Sequence, residues 1–231
     1  MESELRLPGE LDDGQTRGLM NFGGPDIVIL DYGMGNLRSV VRAVEKVGGR
    51  ARLAANGHET EGADALIFPG QGAISATMDR LKETGLDRLI RKWIEADRPF
   101  LGICLGLQVL FERSEEGDVP GLGIFPGQVR RFPFDLTSGI KVPHMGWNAV
   151  EFRRPTVLGE GLAMTGEQFY FVHSYRVQTD YAACIWGETE YGGDWFVSAI
   201  SIGQCTATQF HPEKSQAKGL QIYRNFVHRL K

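Results

Sequence analysis

Three times in its first half the chain runs through a short, almost wholly apolar segment, turns on glycines and continues with apolar residues at helical spacing. Alternation of this kind constrains the fold strongly. Consecutive strand–helix units close into a parallel sheet by right-handed crossovers, with helices covering both faces. The first unit is Asp26-Ile-Val-Ile-Leu30, the turn Asp31-Tyr-Gly-Met-Gly35, and then Leu37, Val40, Val41, Val44 and Val47 up to Gly48 and Gly49. Its β-branched run predicts a strand buried on both faces, and Asn36 stands where a helix N-cap belongs. The second unit runs from Ala63–Ile67 into Pro69-Gly-Gln-Gly72 and a helix over about 74–96, interrupted near Gly85. The third is a strand over Pro99–Cys104 followed by a helix through Gln108 and Phe111. After Gly121 come short strand-like runs over 127–132, 169–177, 183–189 and 206–210, separated by Gly and Asp turns. These predict mixed or antiparallel pairing on the same sheet. A last helix over about 215–230 carries Leu220, Ile222, Tyr223, Phe226 and Val227 as a buried face.

With 231 residues, 42% of them hydrophobic, the chain suits one domain with a substantial core. Residues 1–25 are rich in Gly, Asp and Glu without an apolar period, so they read as a flexible extension ahead of a domain over 26–231. A net charge of −4 offers no basic field to a nucleic acid. Three cysteines are too few and odd in number for a disulfide framework, which points to a reducing compartment. No apolar run approaches the ~20 residues that span a bilayer, and the N-terminus lacks the apolar core of a signal peptide. The expectation is a soluble cytoplasmic protein that touches no membrane.

The chemistry concentrates at Phe100-Leu-Gly-Ile-Cys-Leu-Gly-Leu-Gln108, an apolar strand ending in G-x-C-x-G and turning into a helix. This is the layout of a nucleophile elbow: flanking glycines permit a sharp turn that leaves the middle side chain exposed at the strand's carboxyl end. Cys104 occupies that position. A thiolate there is favoured by the following helix N-terminus, and the backbone N–H of Leu105 points toward an oxyanion formed beside the sulfur. Cys184 and Cys205 lack such a setting and read as small packing residues.

A base and a second oxyanion donor are also legible. In Thr206-Ala-Thr-Gln-Phe-His-Pro-Glu-Lys214, His211 and Glu213 stand two apart at the end of a strand-like run, and in extended chain i and i+2 project to one side. Glu213 could then fix the tautomer of His211 and leave its other nitrogen to take the thiol proton. Glycines on both sides of Gln71, after a buried strand, allow its peptide N–H to face a ligand.

The PGQG loop, the GICLGLQ elbow and the QFHPEK segment, in that order, resemble the class I glutamine amidotransferase family over about 26–231. Asp31-Tyr-Gly-Met-Gly-Asn-Leu37, Pro143-His-Met-Gly-Trp-Asn148 and Tyr170-Phe-Val-His-Ser-Tyr175 resemble the branch that forms the glutaminase subunits of imidazole glycerol phosphate synthases, in histidine biosynthesis. The resemblance implies a three-layer α/β sandwich with a mostly parallel, flavodoxin-like sheet, and no cofactor or metal. It implies a triad of Cys104, His211 and Glu213 that hydrolyses glutamine through a thioester, with oxyanion donors from Gln71 and Leu105. Glutamine would be held by Gly72, Gln108, Glu116, Ser174 and Tyr175. Asn36, Met145, Trp147, Tyr170 and Lys214 would face a (β/α)8 cyclase subunit that receives the ammonia. One domain of this kind uses up the chain, so the acceptor chemistry belongs on another polypeptide. Trp147, between Met145 and Pro143 in a Gly-containing loop, has the character of an interface anchor.

Three other readings share these residues. The chain could serve a different synthase, such as that of pyridoxal phosphate, although the PHMGWN segment speaks against it. A non-enzymatic module on this fold would usually have lost its nucleophile or base. A cysteine hydrolase of another flavodoxin-like family would have no need of Gln108 or the PGQG loop.

Overall fold

The structure, a computed structural model, describes residues 23–135 and 137–230, so most of the N-terminal segment read above as an extension lies outside the described residues. The strand–helix units follow one another as β1 (Asp26–Leu30), α1 (Leu37–Lys46), β2 (Arg50–Ala54), β3 (Ala65–Gly70), α2 (Ile74–Thr84), α3 (Leu86–Glu95), β4 (Phe100–Cys104) and a short α4 (Leu105–Gln108). The second half supplies β5 (Phe111–Ser114), β6 (Val119–Pro120), β7 (Phe125–Arg131), β8 (His144–Phe152), β9 (Glu167–His173), β10 (Tyr175–Gln178), β11 (Ile185–Tyr191), β12 (Asp194–Ile202), β13 (Cys205–Thr208) and α5 (Gln216–His228).

The first four strands pair in parallel in the order β2-β1-β3-β4, and β13 returns from the far end of the chain to lie parallel to β4, with Thr208 opposite Ile103. Beyond β13 the sheet continues through β12, β10, β7, β5 and β6, antiparallel except where β5 meets β7. Alternation along the parallel strands feeds two cores, as a sheet covered on both faces requires. Val28, Leu30, Leu66 and Phe68 pack with Met78, Leu81, Ile90 and Trp93 of α2 and α3. Ile27, Ile29, Ala65 and Ile67 pack with Val40 and Val44 of α1 and with Ile222 and Phe226 of α5. The three-layer arrangement thus follows from strands that are apolar on both faces.

The structure departs from the sequence reading at several places. Asn36 stands at the start of α1, but its side chain makes no capping hydrogen bond. The helix after the elbow stops at Gln108 because the carbonyls beyond it are taken: Val109, Leu110 and Phe111 accept from the N–H groups of Leu122, Ile124 and Gly123 at 2.6, 2.8 and 3.0 Å. Tertiary pairing there overrides helical propensity. The run over 169–177 breaks at Ser174 into β9 and β10. Trp147 lies not in a loop but in the middle of β8. The pattern of β8 is inverted, with His144 buried while Met145 and Trp147 are 61% and 47% exposed, so it carries no apolar-inward signal. β2 escaped notice because it is an edge strand carrying Arg50 and Arg52, both paired with Asp26.

Candidate active site

The carboxyl ends of β3, β4 and β13 lie side by side, and ligands on sheets of this type bind just beyond such ends. Cys104 closes β4 with φ 55° and ψ −103°, a conformation that non-glycine residues rarely adopt and that costs free energy. Both flanking glycines are required by close approach. A Cβ on Gly102 would fall 2.5 Å from the carbonyl oxygen of Gly106, and one on Gly106 would fall 2.1 Å from that of Phe68. The elbow is therefore wedged against β3, and Cys104, 8% exposed, opens into a cavity of about 430 Å³.

Gln71 and Leu105 line that cavity together with Cys104. The hydroxyl of Tyr32, buried close to the Gln71 backbone, finds no hydrogen-bond partner among the described residues. Burial pushes that hydroxyl up to about 12, so it stays protonated.

His211, 1% exposed, follows β13 and lies on the same cavity. Its Nδ1 is 2.7 Å from Oε1 of Glu213. The expected pairing forms by a different backbone route: Glu213 sits in a single 3₁₀ turn, Pro212–Lys214, rather than in extended chain. Three hydrogen bonds fix the turn. The His211 N–H donates to Tyr170 O at 2.9 Å, while the His211 carbonyl accepts from the Lys214 N–H at 3.0 Å and from Ser215 Oγ at 2.7 Å. A carboxylate at Nδ1 puts the proton there and leaves Nε2, which makes no other well-formed hydrogen bond, for the sulfur. Burial of the ring works to lower its pKa, but negative charge on the Cys104 sulfur and the Glu213 carboxylate outweigh it and hold the pKa above the ordinary imidazole value.

The remaining candidates gather around this pair. Gly72, Gln108, Glu116, Ser174, Tyr175 and Lys214 line the same cavity. Gln108 is more constrained than its role implied: its Nε2 donates to Tyr175 O and to Gln209 Oε1, both at 3.0 Å, so only its oxygen remains to meet a ligand. One oxygen of Glu116 accepts from the Ile74 N–H at 3.0 Å, at the start of α2. Beside the cavity, the Trp147 and Tyr170 rings meet edge-on at 6.2 Å, and Lys214 Nζ lies 5.9 Å from the Tyr170 ring. Met145 and Trp147 stand exposed on β8, with Tyr170 of β9 and Lys214 of the Pro212–Lys214 turn half-buried beside them, and Pro143 and Lys214 also line the cavity. Asn36 is exposed at the start of α1, a helix that packs beside the Pro212–Lys214 turn.

Three site residues escaped the sequence reading. Gln209 touches the sulfur, its Nε2 lying 3.5 Å from Cys104 Sγ. His144 and His173 form a buried pair, with Nδ1 of His144 3.1 Å from Nε2 of His173, whose Nδ1 is 2.8 Å from Tyr175 O. A carbonyl can only accept, so the protons sit on both Nδ1 atoms. Only their places within QFHPEK, PHMGWN and YFVHSY could have singled these residues out, since none belongs to a spacing that chemistry demands. A larger groove of about 790 Å³, between β7, β10 and β12, is lined by neither cysteine nor histidine. Chemically, the smaller cavity offers a thiol nucleophile, an oriented base and backbone donors, the components of acyl transfer from a carboxamide or ester.

Known proteins resemble this chain over most of its length. The model of the family "Glutamine amidotransferase class-I" matches residues 28–230. A curated protein of Syntrophotalea carbinolica, named imidazole glycerol phosphate synthase subunit HisH, is 49% identical over 204 residues, covering 87% of this chain and 98% of that protein. The protein of the same name from Aquifex aeolicus is 47% identical, covering 86% of this chain and 94% of that protein. Among solved structures, a glutamine amidotransferase from Thermotoga maritima superposes with a TM-score of 0.62 at 15% identity, covering 90% of this chain and 98% of that one. PurLQS from the same organism does so with a TM-score of 0.69 at 15% identity, covering 90% of this chain and all of that one. These two likenesses concern the fold alone.

Proposed function

The chain belongs to the class-I glutamine amidotransferase family, and from that membership we propose that it is the glutaminase subunit of an imidazole glycerol phosphate synthase, acting in histidine biosynthesis. The names of its relatives imply a partner subunit. We take that partner to be a (β/α)8 cyclase docking on the patch of Met145, Trp147, Tyr170 and Lys214, with Asn36 nearby. The observation that carries the reading is the placing of an elbow cysteine, a carboxylate-oriented histidine and the PGQG loop around one cavity.

In the proposed reaction Nε2 of His211 takes the proton of the Cys104 thiol, and the sulfur attacks the side-chain carbonyl carbon of glutamine. The resulting oxyanion is met by the N–H groups of Leu105 and Gln71, the latter once the Gly70–Gln71 peptide turns toward the sulfur. His211 passes its Nε2 proton to the departing nitrogen, the C–N bond breaks, and ammonia leaves a γ-glutamyl thioester on Cys104. Water then gives a proton to His211 and adds to the thioester carbon, and the collapse releases glutamate and the thiol. Gly72, Glu116, Ser174, Tyr175 and the oxygen of Gln108 hold the substrate's polar ends. Ammonia passes directly to the partner, because in bulk water it would be protonated and lose its nucleophilicity.

Glutamate release by the chain alone, with the cyclase, and with the cyclase plus its nucleotide ligand tests this. The rate should rise across the three, by ~10²–10³ at the last step if one oxyanion donor is gained. Cys104→Ala should abolish glutamate release in all three while the complex still makes product from added ammonium. Release at the wild-type rate in that variant would end the assignment.

A further inference from the structure

The relay of amides behind the nucleophile has an order that no single hydrogen bond reveals. Gln209 follows β13 directly, its side chain is wholly buried, and its backbone N–H is fixed by Ser198 O at 2.8 Å. The direction of its amide is dictated from the other end. The Tyr175 carbonyl can only accept, so Gln108 must turn its nitrogen toward it, and the remaining proton on that nitrogen goes to Gln209 Oε1. Gln209 is left with its NH₂ group facing Cys104 Sγ at 3.5 Å, within the range of a hydrogen bond to sulfur. Swapping its oxygen and nitrogen would set two donors against each other at Gln108, so the direction is not arbitrary.

We propose that Gln209 is a catalytic residue of this glutaminase: its buried amide donates to the Cys104 sulfur and stabilises the negative charge from which the attack on glutamine starts. Gln209 is a neutral donor, so it leaves the proton economy of His211 undisturbed. It comes from the strand that leads into His211, so one backbone segment, 208–211, delivers both the base and the donor. The sulfur therefore meets the Gln209 donor before substrate arrives, on a cavity that His211 also lines.

This inference rests on the glutaminase reading, and its test separates the two. Gln209→Glu keeps the shape and an oxygen for Gln108 but removes the donor; Gln209→Met keeps the length and removes all polarity. Two quantities are measured for each: kcat and KM of glutamate release in the complex with the cyclase, and the rate of Cys104 alkylation by iodoacetamide at pH 7 in the free chain. Hydrogen bonds to charged groups are the strong ones, so both variants should lose roughly tenfold or more in kcat and in alkylation rate, with KM within about threefold. Unchanged kcat and alkylation would overturn the proposal. So would a loss confined to KM, which would make Gln209 only a prop for Gln108. A wild-type chain that alkylates at Cys104 but releases no glutamate with its partner would sink the glutaminase reading, while the alkylation comparison would still decide the role of Gln209.

Discussion

Cys184 and Cys205 are as deeply enclosed as any apolar residue of the core, and burial pushes the Cys184 thiol up to about 11 and that of Cys205 higher still. Both thiols therefore stay protonated and unreactive at neutral pH. Cys104 differs by position: it opens on a cavity and faces His211 and Gln209. Native protein treated with iodoacetamide at pH 7.5 should accordingly take up one label, located at Cys104 by peptide mass spectrometry, while Cys184→Ala and Cys205→Ala keep most of their glutaminase activity. Labelling of either buried thiol at a comparable rate would contradict this account of the core.

At the scale of elements, the parallel half was legible because strands buried on both faces are apolar without interruption, as Asp26–Leu30 and Ala65–Gly70 are, and because glycines mark where each strand turns into its helix. The grouping of Cys104, His211 and Glu213, the proposed triad, could be read for a related reason, since an elbow and a His-x-Glu pair are local in sequence. What is non-local was not. β8 and β9 pair over seven successive positions, from His144 opposite His173 to Val150 opposite Glu167, and no single window contains that register. Gln209 is an ordinary polar residue until Gln108, 101 positions away, orients it. β8 has a second consequence, for it presents Met145 and Trp147 outward on one face while its other face is packed. Trp147→Ala should weaken the complex with the cyclase by ~2 kcal/mol or more, about thirtyfold in Kd, as read by calorimetric titration. An unchanged Kd together with an unchanged ratio of product to glutamate would remove this strand from the interface.

Stability belongs to the whole molecule, and its pH dependence follows from the buried histidines. Burial lowers His144 to about 4 and His173 to about 3, and the neighbouring histidine charges push His173 in the same direction. The unfolded chain binds protons at these residues from about pH 6.5 downward, whereas the folded chain does not, so stability should fall as pH drops from 6.5 toward 4. His211 has the opposite sign: its raised value stabilises fully below 6.5 and is lost only on the alkaline side. The melting temperature should therefore be lower at pH 5 than at pH 7, and His144→Phe should flatten that slope. A melting temperature independent of pH over this interval would show that the pair is not held neutral. The backbone at Cys104 bears on a longer timescale. A left-handed φ at a side-chain-bearing residue is one that glycine would relieve, so the replacement that destroys the nucleophile is also one the scaffold tolerates best. Drift in a lineage relieved of the need for ammonia would thus run downhill in folding free energy, because the change that removes the nucleophile also relaxes the backbone.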